Sequence, residues 1–279
     1  MKYNFLFATD MDYTLLMPGE DIPADNLRSA EKLREYGVAL TLSTGRSPFL
    51  TGKFAEALRI DVPLITGNGS TLWDPSSRRH LYSMDFPEEI LLKYSRLFIE
   101  KDIDATAYST EGIFFYPASS RRGFCEDYNK GLPDDLKAPL KDVFTPDLPP
   151  VSKFLLINPP AEIMEEMKAS GLFELVTSGP GLYDVMLKGA TKGNALLKLA
   201  DNLGIPRENT FGIGDSENDI SLIADSGHGI AMGNSSAEIK AHAEYVTSAC
   251  TEMGFSKAIE EFVIPLVRAL NQQKPSSLS

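Results

Sequence analysis

FLFATDMDYT, residues 5–14, joins an apolar run of strand length to two carboxylates one residue apart, Asp10 and Asp12. A second acidic cluster, GDSENDIS, contains Asp215 and Asp219 and follows another apolar run far downstream. Open α/β sheets bind ligands in the crevice at the carboxyl ends of their parallel strands. Two such strand ends lying side by side would therefore form a site for a hard cation.

Strand and helix patterns alternate around this stretch and predict the fold class. Residues 4–8 and 38–42 predict strands, and 22–37 predicts the helix between them. A second helix over 47–60 and a third strand over 62–66 complete a βαβαβ order. We expect an α/β fold with a Rossmann-like, doubly wound and mainly parallel sheet, because parallel strands are joined by right-handed helical crossovers.

The middle of the chain has a different character. Its strand patterns are shorter and more mixed, which is typical of an α+β unit with an antiparallel sheet. The alternation of strand and helix resumes at TKGNALLKLADNLG, residues 191–204. We therefore predict a core formed by residues 1–84 and 188–279, interrupted by an inserted α+β domain over 85–187.

Composition and charge exclude several classes of partner. The net charge of −12 argues against nucleic acid and against an anionic membrane surface, because both are bound by clustered Lys and Arg. Cys125 and Cys250 lie far apart without the spacing of a disulfide framework or a zinc site, which is typical of a protein of the reducing cytoplasm. No apolar stretch reaches the length of a membrane-spanning helix or a signal peptide.

Four short motifs resemble, in order, those of the haloacid dehalogenase superfamily phosphatases of the Cof-like group, the type IIB members with a large inserted cap. They are DMDYT, LSTGR, TKGNAL and GDSEND, and GIAMGNSSAEIKAHAEYVT resembles the closing segment of that group. Each motif alone also fits an ordinary turn or helix cap. Four in the right order, at predicted strand ends and helix starts, form a specific pattern. The resemblance implies a Mg²⁺-dependent phosphatase whose cap lies between the second and third motifs.

The carboxylates suit the hydrolysis of a phosphate monoester. This reaction is extremely slow in water, and a covalent aspartyl-phosphate divides it into two easier steps. Asp10 is the best-placed nucleophile, and Mg²⁺ held by Asp10 and Asp215 would offset its repulsion from the phosphate. The resemblance implies that Asp12 gives a backbone carbonyl to the metal, while its side chain acts as general acid and base.

Donors and positive charge must face the transferred phosphoryl group, because positioning and electrostatic stabilisation dominate this chemistry. Thr44 and the backbone amides of Gly45 and Arg46 lie at a predicted strand-to-helix turn and suit this role. Lys192, at the start of a predicted core helix, supplies a compact cation. The resemblance implies that Lys192 also neutralises Asp10.

Further residues are assigned supporting roles. Asp219 orients Lys192 or supports the metal from behind its ligands. Asn218 reaches a phosphate oxygen, and Asn68 lies between two glycines that allow close backbone approach to a ligand. Arg121 and Arg122 are candidates for a substrate anion, although such a charge pair is more often solvated.

The chain departs from the family pattern at two places. Tyr13 occupies a position where relatives commonly carry Gly. The late acidic-Gly-Val turn of the family is replaced by Glu252, Met253, Gly254 and Phe255, and we assign no role to this segment.

The expected function is hydrolysis of a small phosphorylated metabolite. A sugar phosphate is the leading class by resemblance, ahead of phosphorylated cofactors such as pyridoxal phosphate, and the insert would select among them. Two alternatives stay open: a phosphomutase that uses the same Asp10, and a non-catalytic module that binds a phosphometabolite. The presence of Asp12 beside Asp10 argues against the second, because binding alone needs no proton donor. The oligomeric state is not predicted.

Overall fold

The chain folds around two large sheets, described here over residues 2–116, 119–143 and 148–273 of a computed structural model. The strands are β1 (Phe5–Thr9), β2 (Val38–Leu42), β3 (Leu64–Thr66), β4 (Thr71–Asp74), β5 (Arg79–Ser83), β6 (Asp104–Ser109), β7 (Gly112–Phe115), β8 (Leu140–Asp142), β9 (Val151–Ile157), β10 (Phe173–Gly179), β11 (Leu182–Leu187), β12 (Thr210–Gly214), β13 (His228–Ala231) and β14 (Tyr245–Val246). The α-helices are α1 (Ala24–Glu35), α2 (Gly52–Ala57), α3 (Glu88–Glu100), α4 (Arg121–Asn129), α5 (Ala161–Ser170), α6 (Lys192–Leu203), α7 (Ile220–Asp225), α8 (Ala237–Lys240), α9 (Gly254–Lys257) and α10 (Ile264–Gln273).

The first sheet is parallel and carries the predicted core. Its order is β14-β13-β12-β1-β2, and every neighbouring pair runs parallel. An isolated parallel bridge between Ser43 and Ile65 continues this order towards β3. Helices join the strands in sequence, so the predicted doubly wound α/β fold is confirmed. All five residues of the central β1 are buried, as expected of a strand covered on both faces.

The helix that carries Lys192 has clear sequence signals at both ends. Thr191 caps its start, because its Oγ1 accepts a hydrogen bond from the backbone amide of Asn194 at 3.1 Å. Gly204 ends it with a φ of 67°, a left-handed conformation that glycine adopts without strain. This helix therefore begins at a defined residue, which places Lys192 in its first turn.

In the first half of the chain one predicted helix is wrong and one hairpin was not predicted. The helix expected over 47–60 is a single 3₁₀ turn, Pro48–Leu50, followed by the short α2. Thr51, with φ −121°, separates the two because its backbone is not helical. The hairpin of β4 and β5 was not predicted, since its strands are short and a turn-rich segment dominates the pattern between them.

The second sheet lies within the predicted insert. Its order is β10-β11-β9-β6-β7-β8, and all pairs are antiparallel except β7 with β8. The α+β character of the insert is thus confirmed, and we call this unit the cap. An aromatic cluster fills the space beneath its helices: Phe86, Tyr94, Phe98, Phe154 and Phe173. The division into 1–84, 85–187 and 188–279 stays a prediction, and 274–279 lie outside the described residues.

A smaller apolar cluster joins the cap to the core. Leu50 of the core packs with Tyr108, Phe115 and Leu155 of the cap. The cap sheet therefore faces the core through a partly apolar surface rather than through solvent. Within the described part of the chain, no helix combines the length and the apolar character needed to cross a membrane.

Candidate functional site

The carboxyl edge of the parallel sheet brings the predicted acidic residues together. Asp10 directly follows β1, and Asp215 directly follows the neighbouring β12. The backbone amide of Asp10 donates to the carbonyl of Ile213 at 2.9 Å, which holds the two strand ends in register. Asp10 is 7% exposed and Asp215 is 9% exposed, so both carboxyl groups are largely removed from water.

Lys192 connects two of these acids. Its Nζ donates to Asp10 Oδ1 at 2.7 Å and to Asp219 Oδ1 at 2.5 Å. The other oxygen of Asp219 accepts from the backbone amides of Asp215 and Ser216, each at 3.0 Å. Asp219 is fully buried and satisfied by three donors, so it holds Lys192 against Asp10.

The burial of these charges changes their acidity. Burial, and then the nearby carboxylate of Asp219, raises the pKa of Asp10 well above its usual range. Burial and the same carboxylate raise the pKa of Asp215 to about 6. Burial alone would lower the pKa of Lys192, but the charges of Asp10 and Asp219 outweigh it and raise that pKa. The ammonium group is therefore held in its charged form, whereas the carboxylates need a further cation.

The donor set fits a hard divalent cation. Carboxylate oxygens of Asp10, Asp215 and Asp219 lie within 4.8 Å of one another. Because the oxygens of Asp219 already accept three hydrogen bonds, Asp10 and Asp215 are the residues left to face a metal. Thr14 Oγ1 donates to Asp215 Oδ1 at 2.9 Å and orients this carboxylate. Mg²⁺ is commonly bound by one or two carboxylates together with waters, which matches this set.

Asp12 lies beside the same site but has a different partner. The guanidinium of Arg46 forms a fork with its carboxylate, from Nε to Oδ2 at 3.0 Å and from Nη2 to Oδ1 at 2.6 Å. Only the backbone amide of Arg46 was predicted to take part, and that amide donates to Thr44 Oγ1 at 3.2 Å. The side-chain role was missed, because the loops after two different strands bring these residues together.

Asn68 and Asn218 lie together, and they extend towards the cap. Asn218 Nδ2 donates to Asn68 Oδ1 at 3.1 Å, and Asn68 Nδ2 donates to Asp184 Oδ2 at 2.8 Å. Lys153 of β9 forms a buried ion pair with Asp184 of β11 at 2.6 Å. Neither Lys153 nor Asp184 was predicted from the sequence. The available signal was a charged residue inside each of two largely apolar strands.

A cavity of about 800 Å³ separates this edge from the cap. Among its lining residues, the core contributes Asp10, Asp12 and Asn218, and the cap contributes Arg121 and Lys153. Aromatic side chains of the cap also line it: Tyr108, Phe124 and Tyr128. The site is thus a cleft between core and cap, with polar groups at its floor and aromatic rings on its cap side.

The structure separates the two arginines of the insert. The guanidinium of Arg121 lies over the ring of Phe124 at 3.8 Å, and both side chains line the cavity. Arg122 is not among the cavity's lining residues, and it pairs instead with Glu126 and Asp142 on the surface of the cap.

Both departures from the family pattern fall on unusual backbone. Tyr13 has a φ of 60° and Met253 a φ of 61°, in the left-handed region that favours glycine. Tyr13 is 48% exposed and lines the cavity. It therefore keeps the left-handed backbone that a glycine at this position would adopt without strain.

Comparison with known proteins gives one family. Residues 7–259 match the family model of haloacid dehalogenase-like hydrolases. The chain is 30% identical over 261 residues to 5-amino-6-(5-phospho-D-ribitylamino)uracil phosphatase YcsE of Bacillus subtilis (strain 168), covering 93% of this chain and 96% of that protein. It is 26% identical over 250 residues to pyridoxal phosphate phosphatase YbhA of Escherichia coli (strain K12), covering 86% and 92%.

Solved structures share the same fold. One is a sugar phosphatase of HAD subclass IIB, with a TM-score of 0.77 and 24% identity. The match covers 93% of this chain and 99% of that structure. This chain therefore shares the fold of that structure, with a parallel core and an inserted unit.

Proposed function

The chain belongs to the haloacid dehalogenase-like hydrolases, and from that membership we propose that it is a Mg²⁺-dependent phosphatase of a small phosphorylated metabolite. Both relatives described above are phosphatases of such molecules. The reaction is hydrolysis of a phosphate monoester through an aspartyl-phosphate at Asp10.

The observation that carries this proposal is the buried group of Asp10, Lys192 and Asp219. Oδ1 of Asp10 accepts from Lys192 at 2.7 Å, which fixes the orientation of a carboxylate that lines the cavity. The ammonium lies where it offsets negative charge on Asp10 and on an incoming phosphoryl group. An ordinary turn after a strand needs no such buried and charge-balanced arrangement.

Two proton transfers complete the reaction. An oxygen of Asp10 attacks phosphorus, the bond from phosphorus to the leaving oxygen breaks, and Asp12 gives that oxygen a proton. Water then attacks the phosphorus of the aspartyl-phosphate and passes a proton to Asp12. This step releases phosphate and regenerates the carboxylate of Asp10. Asp12 lines the cavity, which supports this role. Arg46 forks the ionised carboxylate, so Asp12 must leave this ion pair to carry the proton.

The metal would be held by the carboxylates of Asp10 and Asp215, with the backbone carbonyl of Asp12 as the third protein ligand that the family implies. Bound there, Mg²⁺ supplies positive charge that offsets the repulsion between Asp10 and the phosphate. Thr44, the amide of Gly45 and Asn218 would bind the phosphate oxygens. The amide of Arg46 donates to Thr44 Oγ1 in the structure and would have to leave that bond to join them.

The cavity supports a substrate of metabolite size. The volume of about 800 Å³ between core and cap suits a small molecule. We propose a sugar phosphate or a phosphorylated cofactor, with Arg121 contacting the leaving group. The position of Arg122 on the outer surface gives no support to a role in binding.

Turnover of p-nitrophenyl phosphate tests this function. We expect hydrolysis with Mg²⁺, silence after EDTA, and recovery when Mg²⁺ is restored. Asp10→Asn should abolish turnover, because the amide is a poor nucleophile, while the thermal unfolding midpoint stays that of a folded protein. Asp61→Asn, a surface carboxylate paired with Lys2, is the matched control and should keep full activity. Normal turnover by folded Asp10→Asn would contradict the proposal.

A further inference from the structure

A continuous chain of hydrogen bonds runs from the cap to the predicted phosphate-binding residues. Lys153 Nζ donates to the carbonyl oxygen of Gly45 at 2.7 Å and to Asp184 Oδ1 at 2.6 Å. The second oxygen of Asp184 accepts from Asn68 at 2.8 Å, and Asn68 accepts from Asn218 at 3.1 Å. The cap therefore contacts this site at two points, Gly45 and Asn68.

The chemistry of a carboxylate sets the direction of this chain. An ionised Asp184 can only accept hydrogen bonds, so Asn68 must present its NH₂ group to the cap. Its carbonyl oxygen then faces Asn218, which must present its own NH₂ group in turn. Asn218 lines the cavity, and the second N–H of its NH₂ group is available to a phosphate oxygen. The orientation of Asn218 thus depends on a charge in the cap.

The ion pair is buried where core and cap meet. Lys153 is 3% exposed and Asp184 is 2% exposed, on neighbouring antiparallel strands of the cap. A buried ion pair is seldom a net source of stability, because desolvation offsets the Coulomb attraction. Such pairs are better attested as devices that fix register. Here the other hydrogen bonds of the pair go to Gly45 and Asn68 of the core. The pair therefore fixes the position of the cap relative to the core.

The backbone and close contacts around Asn68 restrict the position of its side chain. Its φ of 56° is left-handed, and its amide donates to the carbonyl of Thr44 at 3.0 Å. A Cβ placed on Gly45 would lie 2.8 Å from Asn68 Oδ1 and 3.2 Å from Asp184 Oδ2. The cap carboxylate, Asn68 and the loop after β2 therefore meet in van der Waals contact.

We propose that Asp184, held by Lys153, is a positioning residue that the cap contributes to phosphate binding. Acting through Asn68, it orients the amide of Asn218 so that an N–H, and not a carbonyl oxygen, faces the substrate's phosphoryl group. The site binds phosphate with full strength only when the cap sits against the core. This inference rests on the proposed phosphatase function, and it adds a role for cap residues that need not touch the substrate.

The isosteric change Asp184→Asn tests it. The new amide can donate as well as accept, so Asn68 and Asn218 can flip and present an oxygen to the phosphate. We expect inorganic phosphate, measured by calorimetric titration with Mg²⁺ present, to bind about ten- to a hundredfold more weakly, the range for a lost hydrogen bond to a charged group. KM for p-nitrophenyl phosphate should rise in parallel. Glu166→Gln, which breaks a surface ion pair of the cap with Lys93, should change neither value.

A double-mutant cycle separates positioning from general damage to the cap. In an Asn218→Ala background, Asp184→Asn should weaken phosphate binding by less than about twofold, because its effect passes through Asn218. Equal losses in both backgrounds would overturn the relay, as would unchanged phosphate binding in Asp184→Asn alone. If Asp184→Asn does not fold, Asn68→Ala breaks the same chain of hydrogen bonds. It should weaken phosphate binding in the unchanged background and have little effect in the Asn218→Ala background. Wild-type protein that neither binds phosphate nor turns over substrate would overturn the proposed function, and the relay with it.

Discussion

At the scale of single residues, the site is a balance of buried charge. Asp10, Asp215 and Asp219 bring three carboxylates close together, and Lys192 supplies one cation to them. Like charges at this distance raise one another's pKa, so the cluster is unfavourable until a further cation joins it. This imbalance is the physical reason to expect a divalent metal at these residues.

The raised pKa of Asp215 predicts a pH-dependent metal affinity. With a pKa of about 6 in the folded protein, against 3.8 ordinarily, Asp215 takes up a proton as the pH falls below about 6. The proton and the metal compete, so Mg²⁺ affinity should fall by up to about tenfold per pH unit below that point. Without metal, the pH dependence of stability has the opposite sign. The folded state binds this proton more tightly than the unfolded chain, so the contribution of Asp215 to stability is lost as the pH rises from about 4 to about 6.

Thermal unfolding with and without Mg²⁺ measures this competition. The stabilisation by Mg²⁺ should be large near about pH 7 and small near about pH 5. Asp215→Asn removes the titrating group and should lose most of the Mg²⁺ effect at both values. An equal Mg²⁺ effect at both pH values in the unchanged protein would show that Asp215 does not titrate in the metal site.

At the scale of elements, strand ends were predictable and short irregular segments were not. The prediction of β2 was correct at both ends and that of β1 within one residue, because buried parallel strands form continuous apolar runs. The helix α4 was not predicted, because it contains Gly123 and Cys125 is its only buried residue. A helix with so little apolar periodicity depends on its tertiary contacts, and sequence patterns do not report those.

The loop between β3 and β4 packs closely against the residue that precedes α6. A Cβ on Gly69 would lie 2.1 Å from the carbonyl oxygen of Thr191, directly before Lys192. Gly69→Ala should therefore destabilise the protein by about 2 kcal/mol or more, through both a clash and a φ of 94° that alanine resists. Gly189→Ala is the matched control, because Gly189 has a φ of 90° but no atom within 4 Å of its Cβ position.

Urea unfolding midpoints compare the two variants. Gly189→Ala reports strain alone, and the larger loss in Gly69→Ala reports the contact between this loop and the start of α6. Equal midpoints for the two variants would mean that the loop moves aside without cost. The contact between Gly69 and Thr191 would then not help to position Lys192.

At the scale of the whole molecule, the site is shared between core and cap. The core contributions were accessible from sequence, because Asp10, Thr44, Lys192 and Asp215 stand at strand ends or helix starts in a recognisable order. The contributions of the cap were not accessible, because Lys153 and Asp184 reach the site only through the packing of β9 and β11 against the core. The fork between Arg46 and Asp12 was hidden for a similar reason, since it joins loops from two different strands. The cap side of the cavity is the part that sequence motifs describe least.

In the proposed mechanism, Asp10 carries the phosphoryl group during turnover. Borohydride reduces an acyl phosphate to an alcohol, so quenching the enzyme with borohydride during turnover should convert Asp10 to homoserine, which peptide mass spectrometry detects. The proposed mechanism predicts this conversion at Asp10 only when both substrate and Mg²⁺ are present. Steady turnover with Asp10 unmodified, or with the reduced residue found at another carboxylate, would contradict it.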